Sequence, residues 1–179
     1  SDPSVYSWRQ GLAIAHQRMG DLYLLDGNPD AAVKEFARYL ELTLETYERL
    51  THSNGAFFDV ANARQKVGDG FRAASKLDDA LAAYREALAM TVDLDKRPVK
   101  NARWRKSLAN NHQRIGLTLE LMGDKTGALE AYQACFAVPE SARAWNGFFW
   151  PTGVMARTAM LPAVKSAPAP TSAMLSITT

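Results

Sequence analysis

The chain has 179 residues, of which 47% are hydrophobic and 22% charged, and a formal net charge of +2, the make-up of an ordinary globular protein. No apolar run reaches the roughly 18 residues that a membrane span requires. Residues 141–179 carry Arg143, Arg157 and Lys165 and no acid, which leaves residues 1–140 nearly neutral and argues against a nucleic-acid binder, since phosphates need a concentrated basic surface.

Apolar residues at helical spacing predict six helices, near 5–26, 29–51, 54–74, 77–95, 100–122 and 125–137. In the first, Leu12, Ala15, Met19, Leu22 and Tyr23 form the apolar face. It ends at Asp26-Gly27, where glycine suits a left-handed exit. Asn28-Pro29-Asp30 opens the second helix with an N-cap, a proline in the first turn and an early acid, and Ala32, Phe36 and Leu40 follow as its core face. Val60, Ala63, Val67 and Phe71 mark the third helix, and Ala80, Tyr84 and Leu88 the fourth. Leu108, Asn111, Ile115 and Leu119 mark the fifth, which ends at Met122-Gly123. Asp124 caps the sixth, whose core face is Ala128, Tyr132 and Phe136.

These helices fall into three units that align without a gap at a period of 48: Trp8 to Leu40, Ala56 to Leu88 and Trp104 to Phe136. Met19-Gly20 matches Val67-Gly68 and Ile115-Gly116. His16-Gln17-Arg18 returns unchanged as His112-Gln113-Arg114, with Arg64-Gln65-Lys66 between. A glycine in mid-helix costs about 1 kcal/mol against alanine, so its threefold return implies close helix approach, with Ala32, Ala80 and Ala128 expected opposite. One unit cannot cover its own apolar face, so the units must stack.

The spacing Met19-Gly20, Tyr23, Ala32, Phe36 and Tyr39, with its counterparts in the other units, resembles the tetratricopeptide repeat signature. The period of 48, against about 34 in the common form, and the openings Trp8-Arg9-Gln10 and Trp104-Arg105-Lys106 resemble a long-repeat bacterial-type subclass; the second unit has Ala56-Phe57-Phe58 instead. The resemblance implies an all-α, right-handed α-solenoid over residues 1–137, with units of about 5–52, 53–99 and 100–137. The pattern stops after Phe136. Five of the eight prolines and the cluster Trp145, Phe148, Phe149 and Trp150 follow. Residues 138–161 are expected to form a degenerate cap and 162–179 an irregular tail.

The opening Ser1-Asp2-Pro3-Ser4 lacks the basic and apolar stretches of a secretory signal, and a single cysteine, Cys135, suits a reducing compartment; the expected location is cytoplasmic. Catalytic signatures are missing: there is no nucleophile elbow, phosphate-binding loop, dinucleotide fingerprint or zincin helix. Cys135 falls on a core position, so it reads as inert rather than nucleophilic. His16 and His112 lie two units apart, too far to share a metal. An enzyme would have to draw on Asp21, Asp69 and the histidines without a positioned base–nucleophile pair. No catalytic residue, metal or cofactor is expected.

In the tetratricopeptide family the first helices line a concave groove, and the positions before the glycine face it. Carried onto this chain, the resemblance assigns peptide binding to Gln17, Arg18, Gln65, Lys66, Gln113 and Arg114, with Asn62 and Asn110 one turn earlier. Stacking would set Arg18, Lys66 and Arg114 in a ladder of cations suited to carboxylates, beside amides that can bond a peptide backbone. Lys66, Asn110 and Arg114 are similar to positions of the carboxylate-clamp subset, but Gln17 and Asp21 depart from it, so chaperone binding is not expected. The expected function is a non-enzymatic scaffold that binds a protein or peptide, acidic or C-terminal in character. The alternative is homo-oligomerisation through the solenoid end and the aromatic C-terminal segment.

Overall fold

The computed structural model describes residues 3–50, 53–99 and 101–138. The chain divides into two compact units, Ser1–Ala144 and Trp145–Thr179; the expected cap and tail lie, but for Val138, outside the described residues. Within the first unit the described residues form six α-helices and no strand: α1 Pro3–Leu25, α2 Pro29–Arg49, α3 Asn54–Ala73, α4 Leu77–Lys96, α5 Ala102–Leu121 and α6 Lys125–Ala137.

Local chemistry sets the helix ends. The Asn28 side chain accepts from the Ala31 N–H, Ser53 from Ala56, Asn101 from Arg103 and Asp124 from Gly127, each satisfying an orphan first-turn donor. Gly27 and Gly123 adopt φ values of 71° and 84°. The backbone N–H groups of Asn28 and Asp124 then return to the carbonyls of Tyr23 and Leu119, closing each helix with a Schellman turn. Ser75 takes the same role in the middle unit at φ 59°, a conformation that strains a residue with a side chain.

The three glycines lie where the helices of each pair cross, but the group that fills the space is an aromatic ring, not the alanine. A Cβ on Gly68 would come within 2.6 Å of Tyr84 Cε1, and one on Gly116 within 2.6 Å of Tyr132 Cε1; Gly20 faces Phe36 in the same way. Ala32, Ala80 and Ala128 are buried one turn earlier on the second helices. The ring is large enough to reach across the crossing and alanine is not, so the glycine's missing Cβ is matched to the aromatic position.

Each helix packs on its chain neighbours: α1 on α2, α2 on α3, and so on to α6. The first helices also touch one another, α1 on α3 and α3 on α5, whereas no comparable contact links α2 to α4 or α4 to α6. The first helices therefore form the inner row of the stack and the second helices the outer row. This is an all-α solenoid.

Two core expectations are corrected: Phe136 of α6 is 42% exposed, and one face of α1 is exposed as well. Met19 is 40% and Leu22 60% exposed, and Ala15 is exposed too. Their counterparts Val67 and Gly70, Ile115 and Thr118, are buried. The side of α1 that these residues form is the side that the preceding unit's second helix covers in the other units, and no described helix covers it here.

Candidate protein-binding surface

Residues three and four apart share a helix face, so Asn62, Lys66 and Asp69 form one stripe on α3. Asn110, Arg114 and Leu117 form the same stripe on α5, and Ile14, Arg18 and Asp21 on α1. These stripes face one another along the inner row, because ion pairs join them. Lys66 Nζ donates to Asp21 Oδ1 at 2.6 Å. Arg114 Nε donates to Asp69 Oδ1 at 2.7 Å and its Nη2 to Oδ2 at 3.2 Å. Both pairs span 45 positions, so each cation reaches back to the aspartate of the preceding first helix.

The expected ladder of three open cations does not form. Lys66 and Arg114 are partnered, and only Arg18 is exposed, with no acid paired to it among the described residues. Asp21 and Asp69 are the acceptors that fasten one unit to the next. Burial works to lower the Arg114 pKa, but the adjacent Asp69 carboxylate outweighs it and holds the guanidinium above its ordinary value. Asp69 also accepts from the Tyr84 hydroxyl at 2.8 Å. Burial and this carboxylate raise the Tyr84 pKa, so the phenol stays a neutral donor.

The amides fall into two groups. Asn62 and Asn110 are half-buried on the stripe. Gln65 lies about 100° round α3 from Lys66, and its Oε1 is shielded from solvent without a hydrogen-bond partner among the described residues. Gln17 and Gln113 hold the same position on α1 and α5. Lys66 also lies 5.8 Å from the Phe36 ring centroid, and Arg103 caps the Phe58 ring at 5.1 Å.

The histidine position faces the second helices, not the inner row. His16 Nδ1 lies 2.6 Å from Glu35 of α2, and Arg64 of α3 pairs with Glu86 of α4. His112 has Ala131 and Ala134 of α6 where those acids stand; burial lowers its pKa. A shallow cleft of about 230 Å³ opens between α2, α3 and α4 over Leu40, Val67 and Phe71, and none of the candidate residues lines it. Cys135 is buried. No helix among the described residues is long and apolar enough to cross a membrane.

Two solved structures share this arrangement of helices. The TPR domain of Arabidopsis FLU superposes with a TM-score of 0.56 at 18% identity, covering 72% of this chain and 95% of that domain. The fold is that of a tetratricopeptide-repeat domain. BtubC (BKLC) from P. vanneervenii matches at a TM-score of 0.58 and 14% identity, over 93% of this chain and 54% of its own, so the chain spans about half the length of that protein. No protein-family model matches the sequence, and no curated protein matches it. These likenesses show the helical-repeat fold.

Proposed function

We propose that the chain is a non-enzymatic scaffold that binds an extended segment of a partner protein along the inner row of first helices. The observation that carries this reading is that Asn62 and Asn110 stand half-buried on the inner row with Arg18 exposed at its α1 end; Lys66 and Arg114 are taken up by Asp21 and Asp69 and serve as support, not as ligand groups. These pairs hold the first helices in register, so Asn62 and Asn110 stand on a rigid face at a fixed spacing. An amide offers both donor and acceptor to a peptide backbone, and the ordered support lowers the cost of binding. Arg18, exposed and unpaired among the described residues, places the attraction for an acidic side chain or carboxylate at the α1 end.

The test is panning of a display library of short random peptides on the immobilised protein. Peptides bind the wild type, weaken as salt screens Arg18, and carry an acid that is no longer selected against Arg18→Glu. The paired change Asn62→Leu with Asn110→Leu lowers their affinity at least tenfold. Peptides that bind this variant as well as the wild type would show that the inner row is not the binding face.

A further inference from the structure

Beyond the inner row, α1 carries a second surface whose occupant is legible from the other units. In the middle and last units the first helix lies against the second helix of the unit before. Phe36 is buried with Val67, and Leu81 and Tyr84 with Ile115 and Leu119. At the far end of the second of these joints Trp104 is buried with Phe58 and Leu94. Trp8 stands at the position of Trp104 and is 67% exposed. Met19 and Leu22, at the positions of Ile115 and Thr118, are exposed with it. The charge pattern breaks at the same place, since Arg18 has the position of Lys66 and Arg114 but meets no aspartate among the described residues.

The sequence of α1 says which of the two internal joints its partner resembles. It repeats α5, not α3: Trp8, Arg9, Leu12, His16 and Arg18 are identical to Trp104, Arg105, Leu108, His112 and Arg114, where α3 has Ala56, Phe57, Val60, Arg64 and Lys66. α1 thus offers the tryptophan and the arginine by which α5 is held to the α3–α4 hairpin, where Leu94 covers the one and Asp69 grips the other. We propose that the exposed face of α1 docks a helical hairpin of a partner protein built like α3–α4: one helix lays apolar residues over Leu22, Met19 and Trp8, and its companion sets a carboxylate against Arg18.

A second copy of this chain is a poorer occupant. Its last hairpin would offer α6, which is 13 residues long against 20 for α4. The sequence also has Leu117 where the arginine needs Asp69.

The probe is the labelled polypeptide of residues 53–99, titrated against the intact protein by fluorescence anisotropy. It binds saturably, and Trp8→Ser with Leu22→Ser in the protein weakens it at least tenfold. Arg18→Asp weakens it about as much, and Asp69→Arg in the probe restores binding to that variant by swapping the charges. A second arm guards against a probe that does not fold by itself. A copy of residues 53–100 is fused ahead of residue 5, a junction that keeps the repeat period. The added unit then resists limited proteolysis, and Trp8→Ser with Leu22→Ser makes it cleavable. A fused unit that is cleaved from the start would overturn the proposal, as would probe binding that ignores the α1 substitutions. So would self-association of the protein that Trp8→Ser abolishes, because the occupant is then a second copy.

Discussion

Arg114 grips Asp69 with two parallel hydrogen bonds, Nε to Oδ1 at 2.7 Å and Nη2 to Oδ2 at 3.2 Å, and so joins the last unit to the middle one. Lys66 and Asp21 form the matching link at 2.6 Å between the middle unit and the first. The two links differ in strength for a physical reason. The Asp69 side chain is 10% exposed and also accepts from Tyr84, whereas Lys66 and Asp21 are 25% and 28% exposed. Asp69→Ala leaves a partly buried guanidinium and the fully buried Tyr84 hydroxyl without their acceptor, and should cost about 2–4 kcal/mol. Asp21→Ala removes a more hydrated, single-donor pair and should cost about 1 kcal/mol or less. Urea unfolding of the two variants measures the difference; equal losses would mean that burial does not set the strength of these links.

The repeat and its helices were legible in the sequence because a period of 48 superposes caps, glycines and aromatics at once, and each has a local physical meaning. The roles of charges were not legible at the same level. Asp21 and Asp69 lie 45 residues from their partners, and the sequence marks them only as acids on the same face as a cation. Whether such a pair repels a ligand or binds a neighbour depends on the stagger between stacked helices, which no local pattern encodes. Met19 and Leu22 failed as core residues for a related reason: their periodicity is right, but the helix that would cover them is not among the described residues.

The glycine at each helix crossing gives a graded prediction. In Gly68→Ala the new Cβ would meet the Tyr84 ring at 2.6 Å, and Tyr84 is fully buried and tied to Asp69. In Gly116→Ala the same contact is made with Tyr132, which is half-buried and bonded to Glu120 at the surface. A ring with solvent on one side can swing away, so Gly68→Ala should cost about 2–3 kcal/mol and Gly116→Ala about 1 kcal/mol. Thermal melts of the pair test this order.

Asn111 is fully buried at the joint between α4 and α5. Its amide donates to Thr91 Oγ1 over 3.4 Å, and its Oδ1 has no partner among the described residues. Alanine holds the same position in the other units, as Ala15 and Ala63. Thr91 keeps its bonds to the Ala87 and Leu88 carbonyls without the asparagine. Asn111→Ala removes an unsatisfied acceptor that costs about 1–3 kcal/mol. The volume lost is small, and at about 24 cal/mol per Å³ a cavity of that size costs about 0.6 kcal/mol. The variant should therefore be more stable by about 1 kcal/mol, read as a higher urea midpoint with an unchanged slope.

His112 should make stability depend on pH near neutrality. Its counterparts His16 and Arg64 each have a carboxylate on the second helix, but α6 places Ala131 and Ala134 there, and burial depresses the His112 pKa below its ordinary value of 6.5. The unfolded chain then takes up the proton before the folded one does. Stability is complete above about pH 6.5, declines as pH falls from there toward the depressed folded value, and levels off below it. His112→Gln removes the titrating group and keeps a polar side chain of similar size. Urea midpoints at about pH 7.5 and pH 5.5 should fall further for the wild type than for this variant. Asp59, whose pKa burial raises, contributes with the opposite sign, since a carboxyl held above its ordinary value gains stability on protonation. It is present in both proteins and cancels in the comparison. An equal fall in the two would show that His112 takes up its proton as readily in the folded chain as in the unfolded one, so that burial does not depress it.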